Sequence, residues 1–259
     1  MLVPYGRPLL GDIRTGAALT LAACATIVVT LGLAFRGQAG PDAFDQAADA
    51  RVATFFAGHH GLLLWLALPG TVIPAIVISA AIAAGCLIAR RLNGAVLAAT
   101  AVPAATALDD ALLKHLFHRT YLGYLTFPSG HTTAATALTA TLAVLLLVPP
   151  QRAATRPAGV ALVALACAVT VTVAAAVIGL RWHYLTDTVA GAAVGVAAVI
   201  TLALLLDVGQ GRRGAGRRAP TAVAREPGAV SRVPEAVSPG PAAVPREPEA
   251  VSPEPDATP

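Results

Sequence analysis

Long stretches without a charged residue organise this chain. They run over 16–35, 61–89, 94–108, 132–149, 158–180 and 188–206. A helix needs about 20 predominantly apolar residues to cross a bilayer, and most of these stretches match that length. The 61–89 stretch has 29 residues, more than one untilted crossing takes, and Pro69-Gly70 interrupts it. A crossing is therefore predicted near 70–89, with 52–68 as an amphipathic or interfacial approach helix. The 94–108 stretch is short, but extends to about 113 if Asp109 and Asp110 face protein or water. The pattern predicts an all-α fold: an integral membrane bundle of six helices, at about 16–35, 70–89, 94–113, 132–149, 158–180 and 188–206.

Composition supports that pattern. Hydrophobic residues make up 56% of the 259, charged residues 12%, and the mean hydropathy is +0.70. A soluble domain is about a quarter charged, so a soluble enzyme, a disordered chain and a disulfide scaffold are all disfavoured. Cys24, Cys86 and Cys167 lie in apolar stretches, with no metal or redox spacing. The net charge is +4 without a long basic block, so nucleic acid is not an expected partner.

Arginines set the expected orientation, because cytoplasmic loops carry the excess of basic residues. Arg7, Arg14, Arg90, Arg91, Arg152, Arg156, Arg212, Arg213, Arg217 and Arg218 fall on one side of six spans. Arg36, Arg51, Lys114, Arg119 and Arg181 fall on the other. Both termini are thus expected in the cytoplasm of a multi-pass cell-membrane protein. The first apolar run, 20 residues, exceeds the 7–15 of a signal peptide and reads as an uncleaved helix. Residues 207–259 hold 10 of the 20 prolines and repeat Pro-Glu-Ala-Val-Ser-Pro at 234–239 and 248–253. This composition predicts a disordered cytoplasmic tail.

Membrane insertion leaves two polar segments unexplained, 109–133 and 179–191, both on the expected outer side. They hold four of the six histidines and the only lysine, Lys114. In Pro128-Ser129-Gly130-His131, Ser129 is a candidate N-cap. The free N–H groups behind it would suit a phosphate, and Gly130 would let an anion approach the backbone. His183 and Asp187 are four residues apart, one helical turn, so a carboxylate could hold one imidazole nitrogen protonated and leave the other free. Arg181 could be aimed at an oxyanion. Lys114 could equally be the ion-pair partner of Asp110, and Arg119 and His118 could be headgroup anchors. Taken together, three cations, two histidines, a helix start and a His–carboxylate pair suit a tetrahedral phosphate attacked by one histidine, with the other as acid.

The order of these residues resembles the phosphatidic acid phosphatase type 2 superfamily. The resemblance spans about 60–206 and rests on Lys114 and Arg119, Pro128-Ser129-Gly130-His131, and His183 followed by Asp187. It implies that His183 attacks phosphorus, Asp187 orients it and His131 protonates the leaving group. Lys114, Arg119, Ser129, Gly130 and Arg181 would then hold the phosphoryl oxygens, with no metal or other cofactor. Two family arginines are displaced: Tyr121 and Leu122 stand where the first motif has Arg-Pro, and Ala176 and Val177 where the third has Ser-Arg. Arg119 and Arg181 are expected to replace them. The implied activity is hydrolysis of a phosphate monoester or diphosphate on a membrane lipid, through a phosphohistidine, at the extracytoplasmic face. Phosphotransfer to another acceptor and non-catalytic binding of lipid phosphate are the alternatives.

Overall fold

The computed structural model describes residues 8–148 and 155–218, with side chains up to Gln210. Nine helices occur among them: α1 (Arg14–Ala34), α2 (Ala43–Phe55), α3 (His60–Ala67), α4 (Val72–Ile88), α5 (Leu92–Leu108), α6 (Lys114–Phe117), α7 (Gly130–Leu147), α8 (Arg156–Gly179) and α9 (Leu185–Arg218). One hairpin, β1 (Thr120–Tyr121) and β2 (Tyr124–Leu125), pairs antiparallel. Five helical stretches are long and apolar enough to cross a membrane: Gly11–Ala34, Leu92–Phe117, Gly130–Leu147, Arg156–Gly179 and Leu185–Gln210. The bent pair α2 and α3 is a candidate sixth crossing, and the shorter apolar α4, with 17 residues, is roughly 25 Å long at 1.5 Å per residue. In lipid only helices or closed barrels satisfy every backbone polar group, so the apolar runs become helices. The protein is a multi-pass all-α membrane bundle.

Helix contacts inside a membrane depend on close packing, because lipid is as apolar as the side chains it would replace. Small residues supply that closeness here. On α9, a Cβ at Gly191 would lie 2.5 Å from the Ser129 carbonyl oxygen, and one at Gly195 would lie 2.6 Å from that of Thr133. The two glycines therefore let α9 and α7 touch backbone to backbone. On α5, Ala95, Ala98, Ala101 and Ala105 repeat every three or four residues and are buried with Ala134 and Ala137 of α7. Ile73, Ile88, Leu165 and Val171 point outward, at 75%, 85%, 61% and 68% exposure, as a lipid-facing rim should.

Three expectations change. The approach region is two helices, with α2 bent by 112° from the α3 segment, and α2 begins well before residue 52. Asp42 caps α2 by accepting from the Asp45 N–H at 2.7 Å. The third crossing continues past 113 to Phe117, with a π-helical turn at Asp109–Leu113 joining α5 to α6. Finally, α9 continues to Arg218, so residues 207–218 are helical instead of tail. Asp207 explains part of this. Its buried carboxylate accepts the N–H groups of Leu9 at 2.6 Å and Leu10 at 3.0 Å, which ties the start of the described chain to α9. The rest of the expected tail, 219–259, lies outside the described residues.

Candidate active site

The start of α7, the end of α5 with the π-helical turn, the hairpin, the residues leading into α4 and the turn between α8 and α9 line a cavity of about 510 Å³. Lys114, Gly130, His131, Arg181 and His183 all line it, so five of the eight expected site residues share one space. The His131 and His183 rings are 6.0 Å apart between centroids, and His131 also lies 5.4 Å from the Trp182 ring. A second cavity, about 320 Å³, meets the first at Tyr121, Arg181 and His183 and reaches α2 at Gln46 and Asp49.

His183 is buried and precedes α9, so it shares no helix face with Asp187. Its Nδ1 lies 2.9 Å from the Thr126 carbonyl oxygen and 3.9 Å from Asp187 Oδ2. A carbonyl only accepts, so Nδ1 carries the proton and Nε2 keeps its lone pair when the ring is neutral. The direct hydrogen-bond partner of His183 Nδ1 is thus the Thr126 carbonyl, with Asp187 beside it at ion-pair distance. The carboxylate of Asp187 instead accepts the Tyr184 N–H at 3.0 Å and Arg119 Nη1 at 2.7 Å, while its carbonyl accepts the Ser129 N–H at 3.0 Å.

Arg119 does not line the cavity. Its guanidinium is fully buried between Asp187 and Asp45, with Nη2 2.6 Å from Asp45 Oδ2. Its central carbon lies 4.2 Å from the centroid of the Phe35 ring and 4.4 Å from that of Tyr184. Thr186 joins the cluster, donating its N–H to Asp45 Oδ1 at 3.0 Å and its hydroxyl to Oδ2 at 2.7 Å. Two carboxylates already consume this cation, so the geometry corrects its expected place among the phosphate ligands.

Ser129 stands at the N-cap position of α7, but its Oγ caps no backbone N–H. It is fully buried, 3.3 Å from Thr132 Oγ1, and is corrected to a packing position behind the helix start. Gly130 keeps the space in front open. A Cβ there would meet Asp109 Oδ2 at 3.3 Å, Lys114 Nζ at 3.7 Å and Asp110 Oδ1 at 3.8 Å. Lys114 also pairs with Asp110 at 2.6 Å, so the simple ion pair and the cavity position coexist. Beneath them Asp109 is fully buried, with no hydrogen-bond partner on either oxygen.

Arg181 reaches the cavity from a strained backbone. At the end of α8, the Trp182 N–H bonds the Val177 carbonyl at 2.9 Å and the Arg181 N–H bonds that of Ile178 at 2.8 Å. This is a Schellman turn, whose left-handed position usually takes glycine. Arg181 occupies it with φ of 58°. Val177 and Ala176, where the resemblance expects Ser-Arg, are buried core residues. His59, His60, His115 and His118 are exposed and line neither cavity. Among the described residues no group of three or more His, Cys, Asp or Glu is placed to hold a metal ion.

Sequence reasoning missed Thr126, Asp45 and Asp49. Thr126 acts through its carbonyl, which no side-chain pattern reveals. Asp45 and Asp49 are spaced one turn apart on α2. Asp49 accepts the Leu185 N–H at 3.2 Å. Burial, helped by the neighbouring Asp45 carboxylate, raises its pKa to about 6. Burial also pushes the Tyr184 phenol up to about 12.

Known proteins frame this geometry. No curated protein matches the chain. Its fold is similar to that of a solved structure, the first transmembrane PAP2 type phosphatidylglycerolphosphate phosphatase from Bacillus subtilis. The TM-score is 0.57 at 17% identity, covering 74% of this chain and 96% of that one. The family model of the PAP2 superfamily matches residues 15–208. That match takes in every element around the cavity, and the chain belongs to the PAP2 superfamily.

Proposed function

We propose that this protein hydrolyses a phosphate ester carried by a membrane lipid, through a phosphohistidine on His183. The observation that carries the reading is the hydrogen bond from His183 Nδ1 to the Thr126 carbonyl. It leaves Nε2 as a nucleophile in a cavity that also holds His131, Lys114 and Arg181. The Nε2 lone pair attacks phosphorus, the bond from phosphorus to the lipid oxygen breaks, and His131 gives its proton to that oxygen. Water then attacks phosphorus, the P–N bond breaks, and His131 takes a proton back. Lys114, Arg181 and the free N–H groups around Gly130 hold the phosphoryl oxygens. Asp187, held by Arg119, stands 3.9 Å from His183 Nδ1. The arginine asymmetry supports cytoplasmic termini and an extracytoplasmic site.

Purified full-length protein should release phosphate from a panel of lipid phosphates, and His183→Ala should release none. His131→Ala should keep part of its activity on an activated aryl phosphate, whose phenolate needs little protonation, and should accumulate an acid-labile phosphoenzyme. Phosphate release by His183→Ala at the wild-type rate refutes the nucleophile. An impermeant thiol reagent should label a cysteine placed at Gly123 and not one at Arg156; the reverse inverts the topology.

A further inference from the structure

We propose that Trp182 is a positioning residue, whose indole holds the His131 imidazole in the orientation from which it gives up its proton; the inference rests on the phosphatase reading above. The two histidines of the cavity are held by different means. His183 Nδ1 is fixed 2.9 Å from the Thr126 carbonyl oxygen. Among the described residues no hydrogen-bond or ion-pair partner holds the His131 ring. The rings it meets are Trp182, at 5.4 Å between centroids with 40° between planes, and His183, at 6.0 Å and 64°. The terminal torsion of an imidazole is broad, so a ring without a polar partner takes its orientation from what packs on it. A general acid works only within hydrogen-bond reach of the atom it protonates, which makes that orientation part of the chemistry. Aromatic pairs attract at roughly 4.5–7 Å between centroids, and the indole offers the larger face of the two neighbours.

Trp182 is itself fixed by the backbone. Its N–H donates to the Val177 carbonyl at 2.9 Å, and the His183 N–H donates to the same oxygen at 3.4 Å. Val177 is fully buried. The left-handed Arg181 turns the chain there, and residues 181, 182 and 183 all reach the cavity. One short turn thus carries both the nucleophile and the ring that orients the acid. On the other side, the His131 backbone is confined by Gly70, where a Cβ would stand 2.7 Å from its carbonyl oxygen. Trp182 is 39% exposed, and tryptophans near the ends of membrane helices also serve as interfacial anchors. Trp65, 73% exposed and lining neither cavity, fits that plainer role. An anchor acts on the whole fold. A positioning residue acts on the step in which His131 protonates the leaving group, so its loss must depend on how much protonation that group needs.

The test uses full-length protein in detergent with dodecyl phosphate, phenyl phosphate and 4-nitrophenyl phosphate, and reads kcat/KM, which reports formation of the phosphoenzyme. Trp182→Ala should lose about tenfold or more on dodecyl and phenyl phosphate and less than about threefold on 4-nitrophenyl phosphate, whose phenolate needs little protonation. Trp182→Phe keeps an aromatic face and should stay within about threefold of wild type on all three. A second measurement needs no turnover. In protein labelled with carbon-13 histidine, the His131 ring resonance, assigned by its absence in His131→Ala, should move in Trp182→Ala and stay in place in Trp65→Phe. Equal losses on the three substrates overturn the inference and leave Trp182 an anchor, as does a Trp182→Phe no better than Trp182→Ala. An unmoved His131 resonance in Trp182→Ala overturns it too. A wild type that releases no phosphate, with the resonance still moved by Trp182→Ala, upholds the placement of the ring and refutes hydrolysis instead.

Discussion

Replacing Arg119 separates a clamp behind the site from a ligand inside it. The guanidinium spans two carboxylates 142 residues apart in sequence (187 minus 45), Asp45 on α2 and Asp187 on α9, at 2.6 and 2.7 Å. Lysine presents one compact ammonium and cannot bridge both. Arg119→Lys therefore forgoes at least one charged hydrogen bond, about 1.5–3 kcal/mol, together with part of the stacking on Phe35 and Tyr184, about 0.5–2 kcal/mol. Arg119→Ala leaves two fully buried carboxylates facing each other, and breaking a buried pair in this way costs roughly 3–5 kcal/mol. Thermal unfolding in detergent should rank wild type above Arg119→Lys above Arg119→Ala. Turnover should follow, because Asp187 loses its anchor beside His183; a loss of 1.4 kcal/mol in transition-state stabilisation is about tenfold in kcat. Vanadate inhibition and KM should move little in Arg119→Lys, because Arg119 lines neither cavity. Asp45→Asn should reproduce the pattern in milder form, and a double-mutant cycle with Arg119→Lys should show coupling. Weakened vanadate binding in Arg119→Lys at unchanged kcat would refute the reasoning and return this arginine to the phosphate. An unchanged melting temperature in Arg119→Ala would remove the clamp altogether.

Two further outcomes test the packing and electrostatics around the site. A Cβ at Gly70 would stand 2.7 Å from the His131 carbonyl oxygen, so Gly70→Ala must push the start of α7 aside. Overpacking of this kind costs about 1–3 kcal/mol, and kcat should fall about tenfold or more; full turnover would show that the Pro69-Gly70 break does not position His131. Asp49 has a folded pKa of about 6, above its ordinary 3.8. Its protonated form favours the fold, so its contribution is fully present below pH 3.8 and lost as pH rises through about 6. Asp49→Asn should accordingly melt higher than wild type at pH 7.5, with the difference vanishing near pH 4. A difference independent of pH would contradict the raised pKa.

The membrane bundle was legible from residue order alone, because lipid forces charge-free runs of about 20 residues into helices whatever their neighbours are. It also marked the polar residues that lipid alone does not account for, and the motif order that leads to the PAP2 superfamily. Lys114, Gly130, His131, Arg181 and His183 were all legible, and the fold brings them to one cavity. Partnership was decided only in three dimensions. A spacing of four residues suggested that Asp187 holds His183, yet α9 begins after His183, and the bond goes to a backbone carbonyl 57 residues away. Arg119 looked free beside Lys114, but the bend of α2 carries Asp45, 74 residues away, onto its guanidinium. Ser129 looked like a cap, but the close approach of Gly191 packs α9 against it and leaves its Oγ beside Thr132. Local pattern fixes which faces are apolar and which side chains are chemically able. It carries no record of which distant carboxylate or carbonyl arrives first, since that depends on helix crossing points set by single glycines and on a bend between two short helices.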